Sequence, residues 1–195
     1  MTASREIVLA SSSTYRRSLI ARLGLECSAV APDIDESALA LETPLQTALR
    51  LAEAKARRVA ADHHGAIIIG SDQVAVLNGS AIGKPGNHQA AVEQLLAMSS
   101  QSVVFHTALY VIDAQTNRTQ CVNVPTTVRF RSLERDQIER YLLADRPYDC
   151  AGSAKIEALG IALVEKVESE DPSALIGLPL IALVTLLRNV GVEIP

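Results

Sequence analysis

Apolar and polar positions along this chain switch between two periods, and the switches lay out its elements. Ile7-Val8-Leu9-Ala10 is a short unbroken apolar run and reads as a buried strand. Ser11-Ser12-Ser13-Thr14 follows with turn and capping hydroxyls. Tyr15 to Leu23 then has helical spacing and ends near Gly24. Cys27 to Ala31 predicts a second strand, and Pro32-Asp33-Ile34-Asp35-Glu36 an acidic loop. Pro44 suits a first helical turn before an Ala-rich helix over Gln46 to Ala61. Ala66 to Ile69 predicts another buried strand, which delivers Gly70-Ser71-Asp72-Gln73 at its end.

Beyond it, Val74 to Leu77 and Ser80 to Ile82 flank Asn78-Gly79, the dipeptide that favours a tight hairpin turn. Asn87 to Met98 predicts a helix, and Val103 to Asp113 and Thr119 to Phe130 predict long β arms around a turn. Leu133 to Ala144 is amphipathic and helical, Tyr148 to Lys155 a polar loop, and Ile161 to Val167 a strand. Leu180 to Asn189 makes a final helix, with Gly191 and Pro195 beyond it. Alternating elements with antiparallel arms predict an α/β fold on a mixed sheet with flanking helices. No repeat or low-complexity segment interrupts the pattern.

The chain's 195 residues suffice for one substantial core, in one domain over 1–195 that has two lobes. A hydrophobic fraction of 48% argues against disorder, and 3% aromatic content makes the core aliphatic. Net charge is -4, and there is no Trp and only two Phe, so a nucleic-acid polymer has neither a basic surface nor a stacking track. Small phosphorylated ligands stay open, because they need only local Arg, Lys and N–H groups. Cys27, Cys121 and Cys150 form no metal-spaced pair, which fits small core residues in a reducing, cytoplasmic setting. The uncharged run Ala174 to Leu187 is interrupted by Pro179 and reads as buried core rather than membrane.

Candidate chemistry concentrates at the element ends. Ser11, Ser13 and Arg16 sit at a strand-to-helix turn, where hydroxyls and an arginine fork can grip phosphate; simple helix capping explains the hydroxyls equally. Asp72 follows a buried strand and is placed to hold a divalent ion or a water, while Asp33, Asp35 and Glu36 suit either a metal loop or a surface turn. Lys84 lies between Gly83 and Pro85, and Lys55 lies inside the long helix, where a solvated charge is the plain alternative. The histidines lack metal spacing, and no Cys-His or Gly-x-Ser-x-Gly pattern supports covalent hydrolysis.

Taken in order, these motifs resemble the Maf family over essentially the whole length. The resemblance rests on Ser11-Ser12-Ser13-Thr14-Tyr15-Arg16-Arg17, Asp35-Glu36, Glu53-Ala54-Lys55-Ala56, Gly70-Ser71-Asp72-Gln73 and Gly83-Lys84-Pro85. It continues through Cys150-Ala151-Gly152-Ser153, Asp171-Pro172 and Ile176-Gly177-Leu178-Pro179. Thr14 departs from the proline usual in the first motif, a change that removes stiffness but no catalytic atom. The resemblance implies a fold similar to the inosine-triphosphatase group, with two lobes around a nucleotide cleft on a twisted mixed sheet. It also implies cleavage of a nucleoside triphosphate between α and β phosphates, with a divalent cation such as Mg or Mn.

Within the family, Ser71-Asp72-Gln73 and Gly152 to Glu157 are similar to the branch acting on N7-methyl-GTP. The pyrimidine branch, acting on dTTP or UTP, has Asp-Thr at the place of Asp72-Gln73. Carried over, Ser11, Ser13, Arg16, Lys55 and Lys84 bind the triphosphate. Glu36 and Asp72 hold the metal, with Asp72 as the catalytic base, and Tyr15, Gln73 and Glu157 select the substrate. The expected partner is a modified nucleotide; no membrane is expected, and a homodimer is allowed. A regulatory interaction protein is the rival reading outside enzymes, and it needs no phosphate site.

Overall fold

The computed structural model describes residues 5–194, so Pro195 lies outside the described residues. The strands are β1 (Ile7–Ala10), β2 (Ser28–Val30), β3 (Ile67–Leu77), β4 (Ser80–Ile82), β5 (Ser102–Asp113), β6 (Arg118–Phe130) and β7 (Val164–Ser169). The helices are α1 (Thr14–Ala21), α2 (Pro44–Ala60), α3 (His88–Met98), α4 (Arg135–Asp145) and α5 (Leu180–Arg188). Strand order is β2-β1-β3-β5-β6-β7, with β4 on β3. Parallel pairs of β1 with β2 and β3 coexist with antiparallel β3–β4 and β6–β7 pairs, so the expected mixed sheet is present.

Chain contacts divide into two compact units. One comprises the chain up to Gln73, Thr107–Val124 and the chain from Asp171; the other comprises Val74–His106 and Pro125–Glu170. The first unit's core is aliphatic, as the composition requires. Ile7, Leu9, Ile67 and Ile69 pack with Leu19 and Ile20 of α1 and Leu183 and Leu187 of α5. The uncharged run after Ala174 supplies part of that core, and no helix among the described residues is long and apolar enough to cross a membrane. In the second unit α3 and α4 bury Leu95, Met98, Ile138 and Leu142. Asn78 and Gly79 both take positive φ, at 50° and 80°, in the turn that joins β3 to β4.

Helix starts follow local chemistry. The Ser13 hydroxyl caps α1, Thr43 and Gln46 form a reciprocal capping box at α2 with Pro44 in its first turn, and the Asn87 side chain caps α3.

Two expectations need correction. Gly70-Ser71-Asp72-Gln73 does not end a strand, because β3 runs unbroken from Ile67 to Leu77. Polar residues normally break a buried run, but here each finds a partner, so the strand continues through them. The strand expected over Ile161 to Val167 begins at Val164, because Leu159–Leu163 forms a 3₁₀ turn. Gly160 presses against the Lys155 backbone there, where a Cβ would approach the Lys155 amide nitrogen to 2.7 Å. A chain bent so closely cannot run extended.

Candidate active site

Alternation along β3 sorts its polar residues onto two faces. Gly70 and Asp72 share the face toward α2, while Ser71 and Gln73 reach the segment around Ala174 to Gly177. A Cβ on Gly70 would meet the Ala56 amide nitrogen at 2.9 Å and the Ala56 Cβ at 2.8 Å, so the absent side chain lets helix and strand touch. Lys55 follows Ala52 by one helical turn and precedes Ala56, so that close approach delivers its ammonium to the strand.

Lys55 Nζ donates to Asp72 Oδ1 at 2.7 Å and to Glu36 Oε2 at 2.8 Å. The Lys55 and Asp72 side chains are almost wholly buried, at 6% and 9% exposure, whereas Glu36 is 56% exposed. A solvated helix lysine is therefore excluded. Glu36 is held at the loop end of this clasp, beside Asp35, whose carboxylate accepts from the Ser37 amide at 2.9 Å. Glu42 anchors the same loop by taking Arg50 and the Leu39 amide, and its pKa is drawn down to about 2, chiefly by Arg50.

Burial pushes the Asp72 carboxyl above the ordinary carboxylate range, with Lys55 and Arg16 pulling the other way and Glu36 adding to the rise. Burial likewise pulls the Arg16 guanidinium below its ordinary value, opposed by Asp72 and Glu36. An arginine stays charged regardless, so the set holds two cations and two carboxylates in mutual field.

Arg16 is fixed by backbone as well as by charge. Its Nε donates to the Gly177 carbonyl at 2.8 Å, and its Nη1 lies 3.4 Å from Ser11 Oγ. Ser11 Oγ also accepts from the Ser13 amide at 3.1 Å, and Ser13 Oγ accepts from the Arg16 amide at 3.3 Å. Capping and placing the arginine are thus one arrangement, and these bonds are those of the capping reading. Tyr15 lies half-buried on the same first turn. Gln73 Nε2 donates to Thr107 Oγ1, Ala174 O and Leu175 O at 2.9, 2.9 and 3.1 Å.

In the second unit Lys84 is exposed beside Gly83. Gln94 takes the Ser153 hydroxyl at 2.6 Å and donates to the Gly83 carbonyl at 3.1 Å, joining the Lys84 loop to the segment that leads to Glu157. Ser153 is fully buried with φ 54°, a costly conformation for a residue with a side chain. The Lys155 amide donates to Tyr141 Oη at 3.0 Å, and the Ala158 amide closes a turn onto the Lys155 carbonyl, which presents Glu157 to solvent. His88 bonds Tyr148 and Glu139, a packed role for a histidine without metal spacing.

The structure brings Ser11, Ser13, Arg16, Glu36, Lys55, Asp72 and Gln73 together in one unit, and Lys84 and Glu157 belong to the other. Sequence reasoning missed the supporting residues. Ser71, wholly buried, donates to the Gly177 carbonyl at 3.0 Å; Asp171 takes the Ser173 amide and hydroxyl and the Ile181 amide. Their only signal was membership of the same short motifs as better-marked neighbours. The cysteines are free; Cys27 is half-buried and packs against the first unit's core, whereas Cys150 is half-buried and Cys121 exposed.

Residues 6–190 match the family model described as Maf-like protein. The chain is 55% identical over 184 residues to the 7-methyl-GTP pyrophosphatase of Ralstonia nicotianae, covering 94% of this chain and 95% of the relative. It is similarly 53% identical to the protein of the same name from Aromatoleum aromaticum, over 97% of this chain and 98% of that one. A third relative of that name, from Methylobacillus flagellatus, is 54% identical over 96% and 98% of the two chains.

Proposed function

We propose that this chain, which belongs to the Maf family, hydrolyses N7-methyl-GTP to N7-methyl-GMP and pyrophosphate. The carrying observation is Lys55 clasped between Asp72 and Glu36, in the electrostatic reach of a backbone-fixed Arg16. Buried opposite charges of this kind are poor stabilisers but suit a site that must handle phosphate. The substrate follows from relatives more than half identical that are named for it.

A divalent cation fits the donors. Glu36 and Asp72 offer hard carboxylate oxygens that both reach the Lys55 ammonium, and among the described residues no group of three or more ligating side chains forms. One or two carboxylates with substrate phosphates completing the shell is the usual Mg²⁺ arrangement. Electrostatics point the same way: the set's two cations and two carboxylates balance, so an incoming triphosphate brings uncompensated negative charge. When bound, the cation would withdraw electron density from phosphate oxygens and acidify a water.

The chain's own groups supply the rest. Water adds to phosphorus as the bond to the bridging oxygen breaks, and pyrophosphate leaves with that electron pair. Asp72 orients the water and takes its proton, a role suited to a carboxyl whose burial raises its basicity. Arg16 and Lys55 neutralise charge gathering on the phosphate oxygens, with Ser11 and Ser13 shaping the turn that holds Arg16. The family resemblance adds Lys84 as a cation for phosphate and Glu157 as a carboxylate for guanine N–H donors and for the positive charge that N7 methylation adds, and the face of Tyr15 suits a cationic ring. A cytoplasmic location accords with the free cysteines.

Product analysis tests this reading. N7-methyl-GTP should give N7-methyl-GMP and pyrophosphate, and activity should vanish with a chelator and return with Mg²⁺ or Mn²⁺. Diphosphate and orthophosphate as first products would refute the cleavage position, and turnover of UTP or dTTP in preference would refute the base assignment alone.

A further inference from the structure

Gln94 stands at the border of the buried stripe of α3, one turn from Ala91 and from Met98. Its amide bridges two loops of the second unit. Nε2 donates to the Gly83 carbonyl at 3.1 Å, and Oε1 accepts from the Ser153 hydroxyl at 2.6 Å. A carbonyl can only accept, so Gly83 fixes which way the amide points, and Ser153 must then be the donor. The amide's remaining hydrogen and lone pair can meet solvent, because Gln94 is only half-buried.

Both loops lead to residues of the proposed site. Lys84 follows Gly83, and the Gly86 amide donates to the Tyr148 carbonyl at 3.0 Å, so Lys84 stands between two ties to the segment 148–153. Ser153 ends that segment. It is wholly buried, its amide donates to the Cys150 carbonyl at 3.2 Å, and it takes φ 54° directly after Gly152 at 72°. A side chain in that conformation persists only where its surroundings hold it. Gly152 supplies the apolar hold, since a Cβ there would lie 3.8 Å from Met98 Sδ and 3.5 Å from Phe105 Cζ. Gln94 supplies the polar one. Beyond Ser153 the Lys155 amide donates to Tyr141 Oη at 3.0 Å, and the turn that follows presents Glu157 to solvent. One side chain therefore holds both the residue before Lys84 and the start of the turn that carries Glu157.

We infer that Gln94 is a positioning residue that fixes Lys84 and Glu157 relative to one another, so that one ligand meets the ammonium with its phosphates and the carboxylate with its base. This rests on the proposed function, in which those two residues touch the substrate. The chemical step is assigned to Asp72 in the first unit, so loss of the tie acts on substrate binding.

The test is Gln94→Met, which keeps the length and removes both hydrogen bonds, assayed on N7-methyl-GTP with Mg²⁺. KM should rise about 10-fold, as expected for lost hydrogen bonds, while kcat stays within about twofold. Lys84→Met and Glu157→Gln should each cost less in the Gln94→Met background than in the parent, because both residues are already displaced there. Ser153→Ala breaks one arm alone, so its cost should couple to Glu157→Gln and add fully to Lys84→Met. A merely structural Gln94 would lower the melting temperature and the active fraction, hence kcat, without coupling to either residue. A loss confined to kcat would therefore overturn the inference, as would full additivity with Lys84→Met and Glu157→Gln. So would either of those two changes costing the parent nothing, since Gln94 would then have nothing to place; pyrophosphate release by that parent leaves the cleavage reading standing. Should Gln94→Met not fold, the Ser153→Ala cycles decide alone. A parent that hydrolyses no triphosphate defeats the proposed function and this inference with it.

Discussion

The Lys55 ammonium reaches Asp72 at 2.7 Å because Gly70, two residues before Asp72 on the same strand face, lets α2 lie against β3. Position on a strand, a missing side chain and one helical turn together make the ion pair. Gly70→Ala must push the helix backbone away, since the new Cβ meets the Ala52 carbonyl and the Ala56 amide rather than flexible side-chain ends. Overpacking of this kind costs about 1–3 kcal/mol or more. Thermal unfolding should shift down accordingly, and activity should fall in the fraction that stays folded, because Lys55 is withdrawn from Asp72. An unchanged melting temperature would show that the helix yields without cost.

Asp72→Asn separates chemistry from stability. On the proposed function, turnover should drop by roughly 100-fold or more, through loss of the proposed base and of one proposed metal-holding oxygen. Stability should respond to pH with a definite sign. The folded Asp72 pKa is raised, so the ionised carboxylate is less favoured in the folded than in the unfolded chain. The parent therefore loses stability, relative to the variant, as pH rises from the ordinary carboxylate range through the folded Asp72 titration. Denaturant unfolding from pH 3 to pH 7 reads this; a parent-to-variant gap that moves the other way would show that Lys55 outweighs burial.

Much of this arrangement was legible in the sequence, and the rest was hidden for a common reason. Apolar runs and caps marked β1, α2 and α3 closely, because strand burial and N-cap chemistry are local. Asp72, Lys55, Glu36 and Arg16 were singled out in the sequence, mostly through the family resemblance, and the structure brings them together. The continuation of β3 through Ser71 and Gln73 was not legible, because their partners at Ala174, Leu175 and Gly177 lie about a hundred residues away. The 3₁₀ turn at Leu159–Leu163 was missed likewise: nothing in an apolar run shows that Gly160 will press on Lys155.

Glu42 offers a second pH signature, on the loop that carries Glu36. Its folded pKa is depressed from 4.5 to about 2, chiefly by Arg50, with further help from the Leu39 amide and Thr47. The sign is opposite to that of Asp72. The stabilisation it gives is fully present above the unfolded value and is lost as pH falls from about 4.5 toward about 2. Glu42→Gln should lie below the parent in stability at neutral pH, and the two should converge across that window. Its effect on catalysis should be a raised KM for metal-bound substrate, since the loop holding Glu36 is freed while Asp72 is untouched. A gap that persists below pH 2 would assign the stabilisation to packing instead.

The proposed function gives Glu157 the choice of base, and its test reads a ratio between two substrates. The residue is exposed on a turn closed by the Ala158 amide onto the Lys155 carbonyl, so its carboxylate is free to be covered by a ligand. Glu157→Gln keeps the length, exchanges one acceptor oxygen for a donor amide and removes the negative charge. A guanine N–H then faces another donor, and the methylated ring loses a favourable charge. Loss of one charge-assisted hydrogen bond costs about 1.5 kcal/mol at the lower end, about 10-fold in kcat/KM. That loss should fall on N7-methyl-GTP while UTP changes little, so the ratio of the two kcat/KM values should drop by the same factor. Pyrophosphate affinity should stay constant, because the base is absent from that ligand. A fold defect would lower both substrates together and leave the ratio intact, and so would a Glu157 that never meets the base; the melting temperature separates those two cases. An intact ratio in a normally folded Glu157→Gln protein removes Glu157 from substrate selection and leaves Tyr15 and Gln73 as the remaining candidates.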